Sequence, residues 1–412
     1  MMPRTEAALP GGVRLSDLVS VMLLAKVFPL SNVRTILDET GRMGARERDL
    51  PAPLMMYYVM ALGLYMRESY EEVLRCVFET YNWMAVASKE VRIASRSAIS
   101  RARDRLGDVP VRTLYQQMVR PIATPQTIGA WYRRWRVVTL DGSTLDVADT
   151  RANEEEFGRP GVSRGGQSAF PKLRMCSLVE CGTHCLFGAV VAPYRIGETT
   201  LARDAVRHLE PGVLCLADRN FYGFALWAEA AATGADLVWR VKQNLTLTCD
   251  QRLPDGSYLA SIYPSVKDRR RGENGLTVRV VAYGLKTPQR TKSEQFLLIT
   301  TILDPAEAPA LELAGLYEQR WEIETTLDEF KTHLKGRDIV LRSKTPVGVY
   351  QEFWGLLLAH HAIRSVMHDA ALAHDIDPDR LSFVHAAAAI RRKLPLFLAI
   401  PPSEVGAEAP HV

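Results

Sequence analysis

The chain has 412 residues, of which 47% are hydrophobic and 24% are charged, which excludes a disordered or fibrous protein. At about 150 residues per domain, this length predicts two or three domains rather than one. The 51 Lys and Arg residues exceed the 47 Asp and Glu residues by only four, so an acidic partner would have to bind to local basic patches.

Two features of the composition predict the cellular compartment. The N-terminal residues contain no apolar segment of the kind found in signal peptides, and no run of 18 apolar residues occurs in the chain. The six cysteines are unevenly spaced, which favours reduced thiols over a disulfide framework. We therefore expect a cytoplasmic protein without disulfides and without a membrane partner.

The N-terminal third of the chain has a helical pattern. From Leu15 to about Ile122, apolar residues recur at spacings of three and four, which predicts an all-α domain over residues 1–130 that contacts DNA or a second copy. One short helix in this region carries Arg101, Arg103 and Arg105. It could enter a DNA groove, although a solvated amphipathic helix would have the same pattern.

Short β-rich runs begin at Arg136 and alternate with two helical stretches. This alternation predicts a mixed α/β sheet that is antiparallel at one edge and parallel beyond it. The helical pattern stops for about 60 residues and then returns. The predicted segments are a first part of the α/β core at 131–243, a β-rich insertion at 244–304, a completion of the core at 305–345, and a helical C-terminal region with a tail at 346–412.

Two aspartates occupy equivalent places in the predicted sheet. Asp141 ends the apolar run VVTLD, and Asp218 ends the apolar run VLCLAD. Open α/β sheets place ligands and metals at such strand ends. Either aspartate alone could be a turn or N-cap residue, but two in one sheet favour a site.

The segment YEQRWEIETTLDEFKTHLK supplies a third acidic position. On a continuous α-helix with about 100° per residue, one narrow stripe would carry four residues, namely Tyr317, Arg320, Glu324 and Lys331. The adjoining face is apolar and would pack on the core; it consists of Leu316, Ile323, Leu327, Phe330 and Leu334. The alternative is a structural ion pair between Arg320 and Glu324, which are four residues apart.

Three converging carboxylates require cations, and their hard oxygen atoms favour Mg²⁺ or Mn²⁺. Two such ions can activate a hydroxyl and stabilise the leaving oxygen of a phosphodiester. Arg320 and Lys331 would then bind neighbouring phosphates. The residues therefore indicate phosphoryl transfer on nucleic acid.

The same residues carry a family resemblance. TLDGSTL around Asp141, LADRNFYG around Asp218, and the spacing Y-x2-R-x3-E-x6-K of the third segment resemble the site and signature of insertion element 4 family DDE transposases. The likeness extends to the N-terminal helices and to YRIGETTLA. It implies a ribonuclease-H-like catalytic core with a β-rich insertion, an all-α N-terminal domain and a helical C-terminal region.

The resemblance also implies a mechanism. Asp141, Asp218 and Glu324 would be the catalytic residues and the ligands of two Mg²⁺ ions, for which Mn²⁺ could substitute, while Tyr317, Arg320 and Lys331 would contact DNA. The expected activity is cut-and-paste transposition through a hairpin end. The expected partners are double-stranded DNA, as inverted-repeat ends and as target, and a second copy in the DNA complex, in the nucleoid-associated fraction of the cytoplasm.

Several interpretations stay open at this point. The chain could be an inactive relative that binds transposon ends and inhibits active copies, or a host nuclease of the same fold. Trp239 and Phe296 are candidates for stacking on a flipped base, with plain core aromatics as the alternative. Three basic groups are candidate phosphate contacts or solvated patches, at Arg133–Arg136, Lys267–Arg271 and Arg391–Lys393.

Overall fold

The chain divides into two compact units, each assembled from segments that are distant in sequence. The computed structural model describes residues 22–44, 49–84, 94–161, 166–285, 294–318 and 320–392. We call the first unit the helical unit; it comprises Met1–Gln126, Leu145–Leu173 and Leu327–Val412. We call the second the sheet unit; it comprises Thr127–Thr144 and Arg174–Thr326.

One sheet of ten strands forms the framework of the sheet unit. Its order is β4-β3-β2-β5-β6-β10-β9-β8-β7, and β1 pairs with β2. The strands are β1 Trp131–Tyr132, β2 Trp135–Asp146, β3 Lys172–Glu180, β4 Cys185–Pro193, β5 Val213–Ala217, β6 Asp236–Val241, β7 Gln251–Arg252, β8 Tyr258–Ile262, β9 Leu276–Leu285 and β10 Glu294–Thr300.

The helices precede, interrupt and follow these strands. They are α1 Leu30–Glu39, α2 Ala52–Leu64, α3 Tyr70–Met84, α4 Arg96–Leu106, α5 Val109–Met118, α6 Arg151–Phe157, α7 Glu198–Ala205, α8 Phe224–Ala231, α9 Val266–Arg271, α10 Ala310–Glu318, α11 Trp321–Asp328, α12 Pro346–Ala373 and α13 Phe383–Arg392. Residues 22–27 are also helical, and single 3₁₀ or π turns lie at Val206–His208, Glu329–Leu334 and Pro378–Arg380.

The sheet is mixed, as the sequence predicts. Strands β2, β5 and β6 are parallel neighbours, whereas β10 pairs with β6 and β9 in antiparallel fashion. The predicted β-rich insertion is present as β7 to β10. It continues the core sheet instead of forming a sheet of its own, because β10 pairs along β6 with Leu297 opposite Val241.

Two helices make the closest contact in the helical unit. All but one residue of α2 is buried, so α2 has no solvent-facing side, and it packs against the long helix α12. Glycines permit this approach: a Cβ atom on Gly355 would lie 2.3 Å from the carbonyl oxygen of Val59, and one on Gly63 would lie 2.9 Å from the Cα atom of Leu356. The two backbones are therefore in van der Waals contact.

Arg103, a candidate for DNA contact in the sequence, is a structural residue. It is 6% exposed, and its guanidinium donates hydrogen bonds to Gln351 Oε1 (3.0 Å) and to the carbonyl oxygen of Gly348 (2.9 Å). The other three arginines of α4, Arg96, Arg101 and Arg105, are exposed. The helix uses Arg103 to bind the start of α12.

The helix predicted across Tyr317–Lys335 is broken, so the constant 100° rotation used in the sequence analysis does not apply. Helix α10 ends at Glu318, and α11 begins at Trp321. Hydrogen bonds of the i→i−3 type are present on either side of Arg320: Arg320 N donates to Tyr317 O and Ile323 N donates to Arg320 O, both at 3.1 Å. The predicted apolar face is nevertheless buried throughout, at Leu316, Ile323, Leu327, Phe330 and Leu334.

Two further expectations concern thiols and membranes. All six cysteines are free, and five of them are buried. Among the described residues, no helix combines the length and the apolar character that crossing a bilayer requires.

We predict that Gly355→Ala destabilises the protein by about 1–3 kcal/mol, because the new methyl group would overlap the backbone of α2. Gly315 is the matched control: it is also helical, and no atom lies within 4 Å of the position that a Cβ atom would take there, so Gly315→Ala should stabilise by up to about 1 kcal/mol. Denaturant unfolding of the two full-length variants measures both effects. Equal stabilities would contradict the close packing of α2 on α12.

Candidate active site

Asp141 and Asp218 lie at one edge of the sheet, where the parallel pairing of β2 with β5 ends. Asp218 directly follows β5, whereas Asp141 lies within β2, which continues to Asp146 instead of ending at Asp141 as the sequence predicts. The paired residues Leu140 of β2 and Ala217 of β5 are the last in their ladder, and each aspartate follows directly. The strands before them are buried and apolar, so their register is fixed by the core. The sheet therefore brings together the two aspartates that the sequence singles out.

The Asp141 carboxyl has an unusual environment. Its pKa is raised from 3.8 to about 6, mainly by burial and also by the carboxylates of Glu198 and Asp218, although the Gly142 N–H and the Arg320 guanidinium act to lower it. The Gly142 N–H donates a hydrogen bond to Asp141 Oδ1 at 2.8 Å. This edge of the sheet therefore concentrates negative charge in a partly desolvated place.

Glu198 is a third carboxylate at this edge, and the sequence analysis missed it. It begins α7, and its pKa is raised by burial and by Asp218 and lowered by Arg174. A Cβ atom on Gly142 would lie 2.0 Å from Glu198 Oε1, so the glycine lets the Glu198 carboxylate approach the backbone next to Asp141. The motif YRIGETTLA, noted only for its resemblance, was the available signal.

Arg320 connects the aspartates with Glu324. Its Nη2 atom lies 3.5 Å from Glu324 Oε1, and its side chain is 14% exposed against 49% for Glu324. Because the Arg320 charge also lowers the pKa of Asp141, the guanidinium lies within electrostatic range of both acids. The i,i+4 ion pair that the sequence offered as an alternative is thus present in the structure.

Tyr317 is a buried residue that contacts the strand end before Asp218. It is 5% exposed, and its hydroxyl donates a hydrogen bond of 3.3 Å to the carbonyl oxygen of Ala217, the residue before Asp218. Burial raises its pKa well above the ordinary value. Tyr317 therefore ties α10 to the end of β5.

Lys331, the last residue of the predicted signature, belongs to the helical unit, whereas Asp141, Asp218, Tyr317, Arg320 and Glu324 belong to the sheet unit. It lies half-buried in the π-helical turn that follows α11. Such turns within α-helices recur at functional sites.

The two aromatic candidates differ in their surroundings. Trp239 is fully buried and packs edge-on against Trp227 at 5.3 Å between ring centroids, as a core residue does. Phe296 is half-buried; the Arg240 guanidinium lies 4.3 Å from its ring centroid, and the Tyr283 ring lies at 5.4 Å. Of the two, only Phe296 retains access to solvent.

The family models match most of the chain. The model "Insertion element 4 transposase N-terminal" matches residues 18–116, and the model "Transposase DDE domain" matches residues 133–361. The chain belongs to the insertion element 4 family of DDE transposases. The predicted ribonuclease-H-like core with a β-rich insertion and helical flanking regions is thereby confirmed.

Two curated relatives come from Escherichia coli K12. "Transposase InsG for insertion sequence element IS4" is 26% identical over 368 residues, which cover 87% of this chain and 79% of the relative. "Putative transposase InsZ" is 26% identical over 220 residues, which cover 53% of this chain and 71% of the relative. A solved piggyBac transposase synaptic complex with hairpin DNA aligns with a TM-score of 0.49 at 12% identity, covering 95% of this chain and 84% of that one.

Membership in this transposase family implies phosphoryl transfer on DNA and the use of a divalent metal. The residues present fit such an ion. Asp141, Asp218 and Glu198 are carboxylates whose mutual repulsion raises the pKa of Asp141 and of Glu198, and carboxylate oxygens are the ligands that hard divalent cations prefer.

We predict that Asp141→Asn stabilises the transposase in metal-free buffer, and that the gain grows as the pH rises. The unfolded carboxyl ionises near pH 3.8, but the folded one ionises near pH 6, so the folded wild type loses stability between these values, whereas the amide does not titrate. The difference should vanish below pH 4 and reach up to about 3 kcal/mol above pH 6. Urea unfolding at several pH values measures it. A difference that does not vary with pH would contradict the assigned burial of Asp141.

Proposed function

We propose that this protein cuts transposon ends from flanking DNA and joins them to a target by metal-dependent phosphoryl transfer, through a hairpin end. The observation that carries the proposal is the position of Asp141 and Asp218 at one edge of the sheet, directly after the paired residues Leu140 and Ala217. Family membership supports the class of reaction.

The ligands that we propose for two Mg²⁺ ions, or two Mn²⁺ ions, are Asp141, Asp218 and Glu324. When bound, such ions activate an attacking hydroxyl and stabilise the departing oxygen of a phosphodiester. Arg320 supports this assignment because its guanidinium lies 3.5 Å from Glu324 and also lowers the pKa of Asp141. The same cation is therefore near both acids. Without divalent ions, the guanidinium offsets part of the charge of the acids.

The remaining signature residues have separate proposed roles. Arg320 binds a DNA phosphate, because its planar guanidinium can donate two parallel hydrogen bonds to phosphate oxygens. Lys331 binds a neighbouring phosphate as a single positive charge. Tyr317 supports the DNA-binding edge indirectly. Its hydrogen bond to the carbonyl oxygen of Ala217 fixes the end of β5 and therefore the position of Asp218.

The proposed partners are double-stranded DNA, as inverted-repeat ends and as target, and a second copy of the chain in the DNA complex. A DNA substrate of this kind would place the activity at the nucleoid in the cytoplasm. Each predicted segment has a proposed role. Residues 1–130 bind DNA and contact the second copy. Residues 131–243 and 305–345 carry out catalysis, and the β-rich insertion of 244–304 lies between them in the sequence.

We predict that Asp141→Asn and Asp218→Asn each abolish strand cleavage while changing the affinity for end DNA only a few fold, because metal ligation is lost but phosphate contacts remain. Cleavage of a duplex carrying the flanking inverted repeat, in Mg²⁺ or Mn²⁺, measures activity, and gel-shift titration measures binding. A variant that cuts at the wild-type rate would refute the assignment. Recovery of strand-transfer products separates a transposase from a nuclease of the same fold.

A matched pair of acids tests the third ligand. Glu324→Gln should abolish cleavage, whereas Asp328→Asn, four residues further along, should cost little. The Asp328 carboxylate already accepts a hydrogen bond from Thr332 at 2.5 Å and lies 3.4 Å from His333 Nε2, which are local contacts. If Asp328→Asn is inactive and Glu324→Gln retains metal-dependent nicking, the ligand is Asp328 and the signature is misplaced.

A further inference from the structure

A cavity of about 360 Å³ lies within the helical unit, apart from any residue of the proposed catalytic set. One wall is a face of α4 that presents Arg96, Ser100 and Asp104 at intervals of four residues. The segment that leads into α12 also lines the cavity, with Arg342 and Lys344. Four cationic side chains therefore line this cavity, because Arg103 contributes as well.

The cavity has an excess of positive charge. Three guanidiniums surround the ring of Tyr70, with distances to its centroid of 5.8 Å for Arg96, 5.6 Å for Arg103 and 4.6 Å for Arg342. Glu352 lies 3.7 Å from Arg103, Glu71 lies 3.7 Å from Arg96, and Asp104 belongs to the lining. Among the described residues that line the cavity or form an ion pair with its lining, four cationic side chains therefore face three carboxylates, which leaves one positive charge without a counter-charge.

Arg342 presents a pair of buried donors. Its Nη1 atom donates a hydrogen bond to the carbonyl oxygen of Glu68. Within the part of the chain that the structure describes, its Nε and Nη2 atoms are buried and have no hydrogen-bond partner. Burying such donors without a partner is costly. The Nε–Nη2 edge of a guanidinium is the edge that binds two oxygens of one anion.

The start of α12 adds to the attraction for an anion. Lys344, Thr345 and Gly348 line the cavity, and the Thr345 hydroxyl caps the helix by accepting a hydrogen bond from the Gly348 N–H at 3.3 Å. The positive end of the dipole of this 28-residue helix thus lies next to Lys344, at the lining of the cavity.

We propose that this cavity binds a phosphate group, held by the ammonium group of Lys344 and by the guanidinium of Arg342, which turns its Nε–Nη2 edge from the buried position toward the cavity when the phosphate binds. In the working transposase the phosphate belongs to the backbone of bound DNA; this part of the proposal rests on the proposed function. The cavity would then anchor DNA to the helical unit independently of the metal-dependent site. A free phosphate has the same chemistry, and the experiment separates the two sources.

The test compares three variants of the full-length protein. Arg342→Lys retains the charge but loses the paired donors, and Lys344→Ala removes an exposed cation of the lining. Arg112→Ala is the control, because Arg112 is an exposed arginine of α5 that is not part of the lining. Melting temperatures check folding. Binding of a duplex that carries the inverted repeat is titrated at several salt concentrations without divalent metal, and inorganic phosphate is tested by its effect on the melting temperature.

If DNA is the source, Arg342→Lys and Lys344→Ala each bind the duplex about tenfold more weakly than Arg112→Ala, and Lys344→Ala lowers the salt slope by about one. If free phosphate is the source, both variants lose the stabilisation by phosphate, and DNA binding stays as in the control. Either result supports a phosphate site. Wild-type behaviour of both variants with both probes would overturn it, whatever the cleavage assays on Asp141 and Asp218 show.

Discussion

Repulsion between carboxylates is the constraint around which the sheet unit is arranged. Asp141 and Asp218 follow buried parallel strands whose pairing fixes them at one edge, and Glu198 joins them from α7. A structure that holds these charges together must supply positive charge and rigid support. Arg320 supplies charge, the Gly142 N–H supplies a hydrogen bond, and Tyr317 fixes the end of β5.

One of the three basic groups that the sequence marked as possible DNA contacts, Arg133–Arg136, forms ion pairs within the sheet unit. Arg136 forms an ion pair with the buried Glu180, Arg134 with Glu307, and Arg133 with Glu312. Sequence cannot distinguish such arginines from free ones, because the acidic partners lie far along the chain. A basic cluster therefore indicates DNA contact only where carboxylates do not already occupy it.

The fold class and the two aspartates could be predicted, since each aspartate follows an apolar run that forms a buried parallel strand. The continuation of β2 past Asp141 to Asp146 could not. Glu198 could not be predicted either, because a tertiary contact brings it next to Gly142 and Asp141. The i→i−3 hydrogen bonds at Arg320 were hidden as well, because the flanking apolar residues keep helical spacing.

The packing of α2 on α12 has a consequence for the protein's synthesis. Helix α2 ends at Leu64, whereas its partner α12 begins only at Pro346. A ribosome that elongates at about 5–20 residues per second therefore leaves α2 without α12 for roughly 15–60 s. During that interval the side of α2 that faces α12 in the folded protein is uncovered in the nascent chain, although α1, α3, α4 and α5 can already pack on its other sides. Translation speed and chaperone supply should therefore limit how much folded transposase a host cell accumulates.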